Sequence, residues 1–371
     1  MHIDFTDEQR ALQAQIRRYM ADMMTPALVD ELHSSEGGGP AYMAALRKMG
    51  DDGWLGIGWP EEWGGQGQGP IEQFIFFDEV QRAAFPVPIL TLNTVGPAMM
   101  KFGNDAQKAK YLPAMVRGEH LFSIGYTEPN AGTDLAALRT KAVLDGDEYV
   151  ISGQKIWTSL ADHADSMWLA ARTSEERHRG ITIFIVPVPS DGLTIRPMHN
   201  MGGNNTHACY YDDVRVPASN IVGGLGNGWR MITSQLNHER VALNAVGPIE
   251  QLWQDTCEWA RETPAGGGTN TLDLPWVRAN LAEVKANIDV LRLWNMKQAH
   301  AIAADQLGPA DASALKVFGS EFYVKGARLL MEVLGEAGML QRGSAGAALS
   351  GRLERFYRMS LVLTFGGGTN E

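Results

Sequence analysis

The spacing of apolar residues changes twice along this chain, and few architectures accommodate such a change. From Asp4 to about Gly118 apolar residues recur every three or four positions, interrupted by turn-rich clusters at Ser34–Pro40 and Trp59–Pro70. That period is helical. Between about Glu119 and Val222 it gives way to short β-rich runs. Thr140–Leu144 and Glu148–Ile151 flank an Asp145-Gly146 pair, a hairpin signal, and Ser166–Thr173, Ile181–Val188, Leu193–Met198 and Ala208–Val216 follow. From Asn227 helical spacing returns and persists almost to the end. The reading is an α+β chain of three parts: a helical domain over 1–118, a small β domain over 119–222 and a helical domain over 223–371.

With 371 residues, 44% of them hydrophobic and 20% charged, the chain can bury sizeable cores. Its formal charge of −11 argues against a nucleic-acid surface. It also means that a polyanionic ligand would have to be held by local donors. The acidic, amphipathic start does not read as a signal peptide, and no apolar run approaches the roughly 20 residues of a membrane span. Two cysteines, Cys209 and Cys257, make no disulfide framework, so a cytoplasmic location is expected.

The segment after Gly226-Asn227-Gly228 is the most informative helix. Trp229, Ile232, Leu236, Glu239, Leu243, Val246, Ile249 and Trp253 fall on one stripe, seven apolar residues and one carboxylate. A carboxylate there is costly unless paired or protonated. It reads either as half of a structural ion pair with a neighbouring arginine or as a general base with a raised pKa.

The usual nucleotide, zinc, redox and serine-hydrolase signatures are missing, and the nine histidines are scattered, so no metal site is expected. Two other segments carry chemistry. Gly125–Asp134, reading GYTEPNAGTD, sets hydroxyls and backbone N–H groups around a loop stiffened by proline and opened by glycine. On its own it is either a plain turn or a cradle for a polar heterocycle. Gly153–Ser159, reading GQKIWTS, offers one aromatic face followed by the hydroxyls of Thr158 and Ser159. A lone tryptophan in a strand is usually core, but this arrangement also suits covering a flat ring while bonding its edge.

Taken together these segments resemble the acyl-CoA dehydrogenase family, over essentially the whole chain. PEEWGGQG at 60–67, QKAKYLP at 107–113, the two segments above, DVRVP at 213–217 and GNGW at 226–229 stand in the family's order. The resemblance implies an N-terminal α-helical domain, a middle β-barrel-like domain and a C-terminal four-helix bundle. It also implies FAD as cofactor, an acyl-CoA thioester as substrate and electron-transfer flavoprotein or a similar acceptor.

Roles then follow by resemblance. Tyr126 and Thr127 match positions at the flavin pyrimidine edge and N5, and Gly132 and Thr133 the turn beside the flavin phosphates and acyl-CoA. Trp157, Thr158 and Ser159 match the strand that packs on and bonds the isoalloxazine; Thr369 matches a further cofactor position. Most members take their base from a glutamate in a C-terminal Tyr-Glu-Gly-Thr loop, which here reads Phe365-Gly366-Gly367-Gly368-Thr369, with Gly367 at the base position. A minority takes it from a Glu-Arg pair in the helix after the sheet. Glu239-Arg240 is such a pair, so Glu239 becomes the expected base, with Arg240, Thr133 and Gly366 as substrate contacts and the Gly367 N–H as a donor to the thioester oxygen.

Two stretches depart from the family pattern. Where members carry Arg-x-x-Phe-Gly, this chain has Glu262–Thr269, and where they carry Gln-x-x-Gly-Gly it has Glu332–Glu336. In the family both stretches serve a neighbouring subunit's FAD. A chain that keeps the residues for its own flavin but lacks those donated to a neighbour's resembles one subunit of the α2β2 acyl-CoA dehydrogenases of bacterial steroid side-chain degradation. The expected substrate is then a bulky steroid-CoA side chain. The competing readings are a straight- or branched-chain fatty acyl-CoA dehydrogenase, a flavin oxidase or monooxygenase, and a non-catalytic scaffold subunit.

Overall fold

A computed structural model of the chain describes residues 4–34, 37–203, 205–242 and 244–371, without the side chains of 34, 205 and 236–242. Among the described residues six α-helices precede the sheet: α1 (Asp7–Met23), α2 (Pro26–Ser34), α3 (Pro40–Asp51), α4 (Pro70–Arg82), α5 (Gly96–Phe102) and α6 (Asp105–Val116). Their ends carry ordinary signals. Thr6 and Asn104 form capping boxes with Gln9 and Gln107, and prolines open α3 and α4. A π-helical segment, Leu90–Val95, leads into α5.

The described residues of the middle region form one eight-stranded sheet. Its strands are β1 (Phe122–Gly125), β2 (Lys141–Asp145), β3 (Glu148–Ser159), β4 (Ser166–Arg172), β5 (Ile181–Pro187), β6 (Leu193–His199), β7 (Asn205–Pro217) and β8 (Ile221–Val222). The order is β6-β7-β3-β2-β4-β5-β8, with β1 parallel to β4. Strands β4 and β5 are buried on both faces because each face meets a different core. Trp168, Ala170, Ile181, Ile183 and Ile185 pack on the N-terminal helices, while Met167, Leu169, Ala171, Phe184 and Val186 join Cys209, Tyr211 and Val214 inside the sheet's own curve. Two-sided burial explains why these strands read as continuous apolar runs rather than alternating ones.

The C-terminal region contains α7 (Gly228–Ala242), α8 (Gly247–Glu262), α9 (Pro275–Ala303), α10 (Pro309–Leu334) and α11 (Arg352–Ser360). Their apolar faces form a separate core around Val246, Ile249, Leu281, Ile288, Leu315 and Leu330. The stripe from Trp229 to Trp253 is therefore not one helix, as its spacing predicts, but two. The α8 N-terminus is made by Pro248 and by a residue far away in sequence. The Asp78 carboxylate on α4 accepts from the backbone N–H groups of Val246 (2.6 Å) and Gly247 (2.8 Å). These are the orphan donors that a helix start must satisfy. Burial raises the Asp78 carboxyl to about 6, against the pull of those two N–H donors. Nearby, Arg82 of α4 pairs with Glu250 (2.7 Å) and bonds Gln254 (2.5 Å), so the N-terminal helices are fastened to the bundle by polar contacts. Among the described residues no helix is long and apolar enough to cross a membrane.

Candidate active site

The GYTEPNAGTD loop leaves the end of β1 and is fastened to β3 by a buried ion pair. Glu128 and Ala131 exchange backbone hydrogen bonds (3.1 Å each), which closes the turn over Pro129-Asn130. The Glu128 carboxylate accepts from the N–H groups of Arg139 (2.6 Å) and Thr140 (2.8 Å) and from Lys155 Nζ (2.8 Å). Lys155 Nζ also donates to the Tyr126 carbonyl (2.9 Å). Burial alone would raise the Glu128 carboxyl, but Lys155 and the N–H donors more than offset this and hold it below its ordinary range. Burial pushes the Lys155 ammonium down to about 8 against the attraction of Glu128. Ile156 N–H donates to the Thr127 carbonyl (2.9 Å), so the two motifs lie side by side.

Within GQKIWTS the pleat is broken on purpose. The β3–β7 register shifts between Lys155 and Thr158, and Trp157 adopts φ 57°. This left-handed backbone is uncommon for a bulky side chain. It swings the indole out of the sheet, where 54% of Trp157 is exposed, while Lys155 and Thr158 on either side are buried. Ser159 is half-buried; Thr158 turns inward and its carbonyl is bonded by His207 Nδ1 (3.1 Å). Thr127 is half-buried, and Gly132 and Thr133 are exposed.

Tyr126 ties this loop to the third domain. Its hydroxyl accepts from Trp168 Nε1 (3.0 Å) and donates to Gln235 Oε1 on α7, while Gln235 Nε2 reaches the Thr94 carbonyl (3.3 Å) in the π-helical segment. Gln235 stands one turn before Glu239 on the same helix. The side chains of Glu239 and Arg240 themselves lie outside the described residues. The C-terminal loop, with Gly367 at φ 72° and Gly368 at φ 116°, is held against α10 by Lys316; Thr369 is exposed and Gly366 half-buried.

Three of these residues escaped the reading of the sequence. Lys155 and Lys316 each carried one signal, a charge on an otherwise apolar strand or helix face. Gln235 carried none. A groove of ≈ 470 Å³ between α8 and α9, lined by Trp253, Cys257, Arg261, Leu281 and Lys285, contains none of the motif residues.

Comparison with known proteins places this arrangement. Family models for the N-terminal, middle and C-terminal domains of acyl-CoA dehydrogenase match residues 6–119, 123–214 and 226–371. Acyl-CoA dehydrogenase FadE26 of Mycobacterium tuberculosis is 49% identical over 386 residues, spanning 100% of this chain and 96% of that protein. Acyl-CoA dehydrogenase FadE29 of the same organism is 45% identical over 374 residues, spanning 100% and 95%. Among solved structures, a chain of the ChsE4-ChsE5 complex from Mycobacterium tuberculosis superposes with a TM-score of 0.94 at 50% identity, covering 100% of this chain and 96% of that one. A chain of the Tcur3481-Tcur3483 steroid ACAD does so with a TM-score of 0.94 at 46% identity, covering 100% and 96%.

Proposed function

Because the chain belongs to the acyl-CoA dehydrogenase family, we propose that it forms the Cα–Cβ double bond of a bulky, ring-bearing acyl-CoA, with FAD bound and Glu239 as base. The observation that carries the cofactor assignment is the pairing of two surfaces. One is the Thr127–Thr133 loop, open at Gly132, where a Cβ would meet nothing nearer than Thr127 Cγ2 at 3.7 Å. The other is the outward indole of Trp157, set beside that loop by the Ile156–Thr127 hydrogen bond. A flat heterocycle bearing polar edges fits an aromatic face next to hydroxyls and backbone donors. The residues present therefore suit a flavin, held by Tyr126, Thr127, Gly132, Thr133, Trp157, Ser159 and Thr369, with Thr158 contributing its backbone.

The flavin, when bound, supplies the hydride acceptor. What the chain supplies is the rest. Glu239 removes the α-proton of the thioester, and its place on a helix stripe among apolar residues favours a carboxylate basic enough to do so. The α-proton is weakly acidic, so donors aimed at the developing enolate oxygen must lower the barrier; the Gly367 N–H serves as one. Arg240 and Thr133 contact the acyl-CoA. An electron-transfer flavoprotein or a similar acceptor would be the partner that reoxidises the bound cofactor.

Substrate size follows from the loop. Glycine at 366, 367 and 368 leaves the volume that tyrosine and glutamate side chains fill in most relatives. The likeness to a chain of a steroid ACAD points the same way. A ring-bearing thioester is expected to exceed octanoyl-CoA in kcat/KM, by at least about tenfold for a pocket worth roughly 1–3 kcal/mol per methylene-sized mismatch. A higher kcat/KM for octanoyl-CoA than for every ring-bearing ester tested would refute the bulky-substrate reading.

Assembly follows from the missing donors. Where relatives present Arg and Gln to a neighbour's FAD, this chain has the exposed hairpin Pro264–Asn270 and the carboxylates of Glu332 and Glu336. Two copies of this chain would turn those carboxylates toward a pyrophosphate, which is unfavourable. A homologous subunit carrying the Arg would instead provide a charge-assisted contact. Val290 and Leu293, one turn apart on α9 and each nearly half exposed, offer apolar surface for such a partner. Purified alone, the chain should hold little FAD; with the homologous subunit it should form a closed α2β2 particle with one FAD per heterodimer. Mass and flavin content measured on both preparations decide this, and an active homotetramer with one FAD per chain would overturn it.

A further inference from the structure

We propose that Lys316 of α10 is the positioning residue of the C-terminal glycine loop, an inference that rests on the reading that this loop faces the thioester carbonyl. Gly366, Gly367 and Gly368 have no side chains with which to anchor themselves, and the positive φ of Gly367 and Gly368 disfavours any that would replace them. The loop's own bonds are local, Gly366 N–H to the Val362 carbonyl (2.7 Å) and Asn370 N–H to the Thr364 carbonyl (3.0 Å). Among the described residues, α10 holds the loop from outside, chiefly through Lys316. Its ammonium donates to the Gly368 carbonyl (2.5 Å) and to Asn370 Oδ1 (2.8 Å), and Ser320, one turn along α10, reaches the same Asn370 oxygen (3.2 Å).

Lys316 is 3% exposed. An ammonium withdrawn from water is costly unless its donors are used, and here two of them are aimed at the loop. The same face of α10 then continues to a second element. Gly319 packs so closely on Asn244 that a Cβ would lie 2.5 Å from the Asn244 Cβ, and the Tyr323 hydroxyl donates to the Ala245 carbonyl. Asn244 and Ala245 lie shortly after Ala242, the last residue of the helix that carries Glu239. Positions 316, 319, 320 and 323 share one helical face. That face thus holds the glycine loop and the end of the base-bearing helix in a single frame, with Lys316 setting the loop's place in it.

The test uses the FAD-loaded enzyme with its partner subunit, comparing Lys316→Met, Lys316→Arg and Asn370→Ala with the unmodified enzyme. Two quantities are read: hydrogen exchange over residues 361–371, and anaerobic flavin reduction against acyl-CoA concentration. Loss of Lys316 should raise exchange in that segment about tenfold or more, because the loop then opens locally. It should lower the limiting reduction rate by about 10- to 100-fold, the scale of an ångström-sized misplacement, with the half-saturating concentration changed much less. Lys316→Arg should restore part of both. Asn370→Ala, which keeps the Lys316–Gly368 contact and removes only the second acceptor of the ammonium, should give the same pattern more weakly and serves if Lys316→Met does not fold. Unchanged exchange overturns the proposal. Raised exchange with an unchanged limiting rate would instead refute the underlying reading that the loop faces the thioester carbonyl, so the two failures are distinguishable.

Discussion

Lys155→Met should destabilise the chain by about 3–5 kcal/mol, the scale of breaking a buried ion pair from one side. Lys155 is fully buried and Glu128 nearly so, and the substitution leaves the Glu128 carboxylate with its two backbone donors but no countercharge. It also removes the Lys155 bond to the Tyr126 carbonyl, so the loop loses both points at which this side chain holds it. Denaturant unfolding at fixed protein concentration measures the loss. The double variant Glu128→Gln with Lys155→Met should lose less than the sum of the two single changes, because residues in contact are coupled. A loss below about 1 kcal/mol for Lys155→Met would show that the pair contributes little to the fold.

Glu239→Gln should retain FAD and acyl-CoA binding and lose substrate-driven flavin reduction by about 10²-fold or more, the usual consequence of removing a general base. Glutamine keeps the shape and much of the polarity at this position but cannot take the α-proton. Stopped-flow absorbance of the flavin under anaerobic conditions reads the rate directly. Near-normal reduction in the variant would return Glu239 to the other reading, a structural ion-pair carboxylate. The Tyr126–Gln235 hydrogen bond, one turn before Glu239, gives this prediction a physical setting, since it joins the GYTEPNAGTD loop to the helix that carries Glu239.

The three-part architecture was legible because the period of apolar residues changes where the chain passes from helices to sheet and back. Local chemistry was legible too: the Asp145-Gly146 turn joins β2 and β3, with Asp145 opposite Glu148. The break between α7 and α8 was not. Leu236, Glu239, Leu243, Val246 and Ile249 continue a helical spacing across it, and the cap at Val246 and Gly247 comes from Asp78, more than 160 residues earlier. Lys155 and Lys316 were passed over for a related reason. Each sits in an element whose own pattern is ordinary, and its meaning depends on a partner 27 or more residues away: Glu128 for one, Gly368 and Asn370 for the other. Trp157, Thr158 and Ser159 read as one aromatic face followed by two hydroxyls. The left-handed backbone at Trp157 puts the indole outside and turns the threonine side chain inward, which the spacing did not show. Spacing reports which residues share a face only while the backbone stays regular.

A chain that, with FAD and a homologous subunit, desaturates a bulky acyl-CoA has a signature that one anaerobic titration reads. The co-purified complex is mixed with a stoichiometric ring-bearing acyl-CoA, the flavin absorbance is followed, and the thioester is recovered for mass analysis. The expected result is bleaching of one flavin per heterodimer and a thioester lighter by two hydrogen atoms, with the double bond between Cα and Cβ. A flavin that stays oxidised while the thioester returns unchanged would contradict it.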